Sequence, residues 1–452
     1  MNRLLLHNFR IIDADAAFSG SLLLERGLIK AVIPGGGPLP AADAVIDSGV
    51  FGGGAALMPA FIDLHAHFRD SGVNEKDTPF PSETIESAAL AAAAGGFGTV
   101  VCMANTRPVI DTIEKARSPK TRADSLGVID LYPVLALTKN MEGRELSGIT
   151  VLPAASNGTD GFLPLMLSED GRDIADNGLF LAALTEARRL GLPVSCHCDF
   201  GGAEAEAAKA AGSSRAEWSR IEENNAIRRA IELGKQAQCH IHIAHVSTRE
   251  AADIIRAEKK ALVSGMASGF TLTCEAAPHH FGADETDACR MGSESYGRVN
   301  PPLRNETDRR ALIAAINDGT IDVIATDHAP HSTADKAAGA PGFTGLETAF
   351  AAALSYLTPE PAPAPALQRL SALLSANPAR ILGLDCRTPG RGRIAPGHRA
   401  DLVIVDVNAQ CTVNPELFCS RGKCTPFAGR ELKGKVLMTI NTGRIVYEGK
   451  IE

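Results

Sequence analysis

Two histidines one residue apart, His65 and His67, sit in FIDLHAHFRD, and Arg69 follows two residues later. On an extended strand, residues two apart share a face. Both imidazoles can then reach one ion, with the guanidinium on the same side. Other metal-binding side chains follow apolar runs in the same way: Asp160 in GTDG, His197 in SCHCD, His245 in HIHIAHVST and Asp327 in IATDHAPH. Imidazole with carboxylate suits zinc or a similar first-row metal. Six ligands exceed the need of one tetrahedral zinc. Two ions sharing a carboxylate and a bridging water fit the count better.

Each residue alone has a plainer explanation. A lone aspartate after a strand is usually a helix cap, and a lone histidine can be a satisfied core residue. The argument rests on six such residues at five strand ends. Within HIHIAHVST, His245 shares strand parity with Ile241 and Ile243, whereas His240 and His242 face the other way. His245, at the strand end, is assigned to the site. His7, His240, His242, His279, His280, His328 and His398 read as packing or surface residues. No GxSxG elbow, P-loop or HExxH is present, which argues against those chemistries.

Something must bring these strand ends together. Eight apolar runs recur at about 57–65, 97–104, 129–137, 149–159, 192–197, 239–245, 270–276 and 321–326, with Ala-rich helical stretches between them. Such alternation predicts an α/β fold, a (β/α)8 TIM-like barrel over 56–387, whose strand C-termini face one active site. An open doubly wound sheet is the runner-up, but no GxGxxG follows the first strand. Both chain ends read as short strands punctuated by Gly and Pro. They predict one small β-sandwich domain built from 1–55 and 388–452.

Acidic residues outnumber basic ones by 53 to 45. No basic excess is available to neutralise phosphates, so nucleic acid is not the expected partner. Ten cysteines in 452 residues, with no CxxC pair, read as reduced thiols rather than a disulfide framework. The N-terminal apolar run is too short for a signal peptide, and Ala88 to Thr106 reads as helix then strand rather than a membrane span. A cytoplasmic protein is expected.

The ordered set FIDLHAHFRD, VCMANTRPV, TDG, HCD, HVST, APHHF, NPPLR, IATDHAPH and GLET, with TPFAG and NTGRIVYEG near the end, resembles the dihydroorotases of the amidohydrolase superfamily, in their monofunctional bacterial branch. The resemblance covers essentially the whole chain. It implies that His65, His67 and Asp327 hold one zinc, His197 and His245 a second, and that Asp160 bridges the two. Hydantoinases and allantoinases typically bridge with a carboxylated lysine. Lys139 is the one lysine weighed for that role, and it reads as a loop residue.

The resemblance further implies that Arg69, Asn105, Asn300 and His331 bind the substrate carboxylate and ring, with backbone contacts from Pro341 and Gly342. The implied reaction is reversible hydrolysis of the dihydroorotate ring amide to N-carbamoyl-L-aspartate, in pyrimidine biosynthesis. Zinc activates the water, and Asp327 is the general base and then acid. A hydantoinase- or allantoinase-like amidase and a non-catalytic scaffold for aspartate carbamoyltransferase are the alternatives. A homodimer and an association with aspartate carbamoyltransferase are both compatible with the resemblance. Departures are Thr159 where the family often has a first aspartate before the glycine, Asp199 where glutamate is usual, a longer link after Arg69, and a compressed APGFTGLET.

Overall fold

The structure is a computed structural model that describes residues 3–72, 82–154, 164–264, 269–293 and 295–449. In chain order the strands are β1 (Arg3–Ile12), β2 (Ala17–Glu25), β3 (Leu28–Pro34), β4 (Ala44–Asp47), β5 (Ala55–Pro59), β6 (Phe61–Ala66), β7 (Phe97–Cys102), β8 (Asp130–Pro133), β9 (Leu135–Ala136), β10 (Leu167–Ser168), β11 (Val194–Cys196), β12 (His240–Ile243), β13 (Thr271–Ala276), β14 (Val323–Ile324), β15 (Leu402–Thr412), β16 (Glu431–Asn441) and β17 (Arg444–Glu448).

β6 to β14 run parallel around a barrel. β6 pairs β7 and β7 pairs β8. After Val134 the chain continues as β9, which opens the row β9-β10-β11-β12-β13-β14. The ring closes where Ala66 bridges His328 and the His67 N–H donates to the His328 carbonyl at 2.7 Å. Every residue of β6 and β7 is buried, as strands covered on both faces require. Helices such as Ile85–Ala94 and Asn177–Leu190 pack outside. Thr84 caps the first of these, its hydroxyl accepting from the Ser87 N–H in a capping box.

The fourth barrel strand is not where the apolar pattern predicts it. Gly148–Val151 is a 3-10 turn started by Ser147, whose side chain accepts from the Ile149 N–H, and Val151 is exposed. The strand is the two-residue β10, which pairs Leu135–Ala136 on one side and Val194–Ser195 on the other. A short apolar run cannot be told from a turn by periodicity alone.

Both chain ends join one eight-stranded sheet in the order β17-β16-β15-β5-β1-β2-β3, with β4 on β1. β5 is the seam, parallel to β1 and antiparallel to β15. Phe9, Leu22, Leu57, Leu402 and Ile440 form a core separate from that of the barrel. Among the described residues, no helix is long and apolar enough to cross a membrane.

Candidate metal centre and active site

At the C-terminal mouth of the barrel one carboxylate stands among four imidazoles. Asp170 Oδ1 lies 3.3 Å from His65 Nε2, 3.2 Å from His197 Nδ1 and 3.8 Å from His245 Nε2. Its Oδ2 lies 3.4 Å from His67 Nε2. Asp327 Oδ1 adds a second carboxylate, 3.3 Å from His67 Nε2 and 3.7 Å from His65 Nε2. His65, His67 and Asp327 form one compact group that could hold a cation, and His65, Asp170 and His245 another. His65, His67, His245, Asp170 and Asp327 are all buried.

The donor set fits a divalent metal. His65 Nε2 and Asp170 Oδ1 face each other, buried and without a hydrogen-bond partner among the described residues. Unpaired buried polar atoms are costly, and a cation between them would satisfy both. Burial opposes the charge on Asp170, but the nearby His65, His197 and His245 imidazoles outweigh it and hold the carboxyl well below its ordinary range. Asp327 behaves alike: burial is overcome by the His67 contact and neighbouring imidazoles.

Behind these atoms, further side chains fix the rings. His65 Nδ1 lies 2.6 Å from Glu275 Oε1, and His67 Nδ1 2.9 Å from Asn105 Oδ1. Donation through Nδ1–H leaves each Nε2 lone pair aimed into the site. His197 is turned the other way, with Nε2 3.4 Å from Asp199 Oδ2 and Nδ1 inward. Glu275 also contacts His242 Nε2 at 3.0 Å and accepts from the His245 N–H at 3.3 Å. Burial alone would raise the Glu275 carboxyl, yet His65 and His242 bring it down to about 2.

Three site residues adopt left-handed backbone: Arg69 at φ 59°, His245 at φ 32° and Asp327 at φ 45°. Such geometry costs about 1–3 kcal/mol per residue and needs bracing. A buried carboxylate braces each turn. Asp70 accepts from the Gly72 N–H at 2.8 Å. Glu223 accepts from the N–H groups of Ser247 (2.7 Å) and Thr248 (3.3 Å), and pairs with Arg304 at 3.1 Å. Asp63 accepts from the Thr326 N–H at 2.9 Å and from its hydroxyl at 2.5 Å, and burial pushes its carboxyl up to about 7.

Asp160 lies outside the described residues. The carboxylate found among the histidines is Asp170, which the sequence reading passed over. Its signal was present: LSEDG follows an apolar run and has two acids before a glycine, with Glu169 where the family often has a first aspartate, whereas GTDG has one acid. Glu169, the first acid, accepts from the N–H groups of Leu137 (2.9 Å) and Thr138 (3.0 Å), tying β10 to the end of β9. Glu275 was also missed. His242, read as packing, supports it, and His279 Nε2 stands 3.7 Å from Asp327 Oδ2. Lys139 is at the surface, paired with Glu145 at 2.9 Å.

The residues expected to contact substrate fall into two groups. Arg69 Nη2 lies 3.2 Å from His331 Nε2, and His331 Nε2 lies 2.9 Å from the Pro341 carbonyl. Burial and Arg69 push His331 down to about 4, so the neutral ring can donate to the carbonyl or accept from the guanidinium, not both. Arg69 Nε is buried without a partner among the described residues. Gly342 (φ 139°) packs so closely on Ala329 that a Cβ would meet the Ala329 carbonyl at 2.5 Å. Asn105 sits between His67 and Asp170, its amide nitrogen 3.3 Å from Asp170 Oδ2. Asn300, whose Oδ1 accepts from Arg215, opens with His197 and Asp199 onto a cavity of about 280 Å³.

Known proteins of similar sequence and shape identify the family. Residues 56–446 match the Amidohydrolase family. A dihydroorotase of Desulforapulum autotrophicum is 36% identical over 95% of both chains, and one of Clostridium botulinum 34% identical over 98% of this chain and 99% of its own. Among solved structures, an L-hydantoinase (dihydropyrimidinase) from Arthrobacter aurescens superposes with a TM-score of 0.80 at 24% identity, covering 100% of this chain and 98% of that one. A dihydropyrimidinase from Brevibacillus agri gives 0.80 at 22% identity over 99% and 95%. At such identities these two structures bear on the fold alone. With a barrel mouth built of four imidazoles and two carboxylates, and dihydroorotases as full-length relatives, the chain belongs to the dihydroorotases of the amidohydrolase family, metal-dependent cyclic amidohydrolases.

Proposed function

We propose that this enzyme interconverts dihydroorotate and N-carbamoyl-L-aspartate by opening and closing the ring amide, with two zinc ions per subunit. The observation that carries this reading is Asp170 within reach of all four histidines, an aspartate in the bridging position rather than a lysine. Arg69, two residues beyond His67, has an unpaired buried Nε to offer a substrate carboxylate.

His65, His67 and Asp327 would hold one ion, His197 and His245 the other, with Asp170 shared. When bound, the metal pair supplies an activated water at neutral pH and polarises the ring carbonyl. Arg69 holds the substrate acid group and so fixes the ring. Asn105, Asn300, His331 and the backbone at Pro341 and Gly342 complete the ring contacts. Asp327, its carboxyl kept ionised by the imidazoles, accepts a proton as the amide carbonyl is attacked. It then delivers that proton to the leaving nitrogen.

The ten cysteines, all free, suit the reducing cytoplasm in which we place the enzyme. A homodimer and docking to aspartate carbamoyltransferase are part of the same proposal. The test is ring opening by purified protein on dihydroorotate, hydantoin and allantoin in parallel, with chelation and zinc restoration. Turnover of dihydroorotate alone, lost and restored with metal, is the expected result. Turnover confined to hydantoin or allantoin overturns the substrate. No turnover by zinc-loaded protein favours a scaffold.

A further inference from the structure

Lys336 lies in the short helix Thr333–Ala337 and is 1% exposed, although it carries a charge. Its ammonium donates to three backbone carbonyls: Arg298 at 2.9 Å, Ala340 at 3.0 Å and Gly342 at 3.0 Å. It also lies 5.2 Å from the centre of the Phe343 ring. No carboxylate pairs with it among the described residues. Burial presses the amine toward its neutral form. A buried ammonium without a counter-ion is a costly way to fill space, and a methionine would fill it at less cost.

What the three carbonyls have in common is their position. Ala340 and Gly342 flank Pro341, whose own carbonyl faces His331, the residue beside Arg69. Arg298 is two residues before Asn300, and its carbonyl also accepts from the Gly342 N–H at 3.0 Å. Lys336 uses its three donors to join the 340–342 turn to the segment leading to Asn300. Beside the Gly342–Arg298 backbone bond, Lys336 thus adds a side-chain tie between two segments that carry proposed ring contacts.

We propose that Lys336 is a positioning residue for substrate. It staples the 340–342 turn to Arg298 before substrate arrives, so that Pro341, Gly342, His331 and Asn300 are already in register. The proposal rests on the reading of these four as substrate contacts. Preset contacts lower the ordering cost of binding, and their loss should appear in KM more than in kcat.

The test compares zinc-loaded wild type, Lys336→Met and Lys336→Arg. For Lys336→Met the expected result is a rise in KM for dihydroorotate of about tenfold or more, with kcat within about threefold and metal content unchanged. Lys336→Arg keeps the charge and donors and should recover part of the loss. An unchanged KM, or equal loss of kcat and metal, overturns the proposal. Should both variants fail to fold, hydrogen exchange on the wild type decides. The Gly342 amide is expected to be protected without ligand. Rapid exchange there, slowed only by carbamoyl aspartate, overturns the staple. That readout stands even if dihydroorotate proves not to be the substrate.

Discussion

Glu275 Oε1 lies 2.6 Å from His65 Nδ1, and the same carboxylate reaches His242 and the backbone of His245. One side chain thus orients two histidines that belong to different proposed metal positions. Replacing such an outer partner typically weakens metal binding about 10–100-fold. Glu275→Gln should therefore lose zinc to a chelator at correspondingly lower concentration. Equal retention by variant and wild type would remove Glu275 from this role.

Asp170 and Asp160 can be separated by parallel amide substitutions. Asp170→Asn should purify with at most one metal per chain and little turnover, since the amide is uncharged and offers one acceptor oxygen where the carboxylate offers two. Asp160→Asn is expected to keep its metal, because Asp170 already reaches all four imidazoles. Metal analysis of the two proteins decides, and the reverse pattern would hand the bridging role to Asp160.

Asp327→Asn removes the proton carrier. Turnover should drop on the order of 10²–10⁴-fold, while the Asp63 brace on Thr326 keeps the turn intact. Circular dichroism and melting close to wild type, together with the lost rate, are the expected pair of results. Near-normal rates would reject the assignment.

Arg69→Met deletes the guanidinium facing His331. Charge-assisted hydrogen bonds are worth about 1.5–3 kcal/mol, so kcat/KM for dihydroorotate should decline about 10- to 150-fold. Lys at this position recovers the charge without the bidentate fork and should recover only part. Steady-state kinetics on the three proteins provide the check.

Glu347, in GLET, gives a stability prediction. Burial pushes its carboxyl from the usual 4.5 up to about 7, although it accepts from the N–H groups of Cys419 (2.7 Å) and Ser420 (3.2 Å). An acid whose folded pKa is raised favours folding when protonated. That contribution is complete below about pH 4.5 and is lost as pH rises through about 7. Glu347→Gln keeps an acceptor without the charge. It should stabilise the protein above pH 7 by on the order of 2–3 kcal/mol and flatten this part of the pH profile. Urea melts at pH 5 and 8 would show whether it does.

The barrel was legible because its long strands are buried on both faces: FIDLHA and FGTVVC read as strands from residue type alone. β10 was not, because two residues carry no period. The site followed the same division. HxH at the end of β6 and TDH after β14 announce themselves through strand geometry, whereas Asp170 depends on where a two-residue strand ends. Glu275 lies within β13, and only the pairing of β12 with β13 brings it to His242. No spacing along the chain encodes that meeting, nor the one between Lys336 and Arg298.

The closing seam of the barrel joins residues far apart in the sequence. Asp63 binds Thr326 across 263 positions, and Ala66 bridges His328. His65, His67 and Asp327 lie on that seam. Contacts of such separation form late, since a long loop must be closed first. A chain emerging from the ribosome therefore cannot assemble its first metal position until the last barrel strand has been made. Capture of an ion at this proposed position would mark the end of barrel synthesis, and a product truncated before β14 should not bind zinc there.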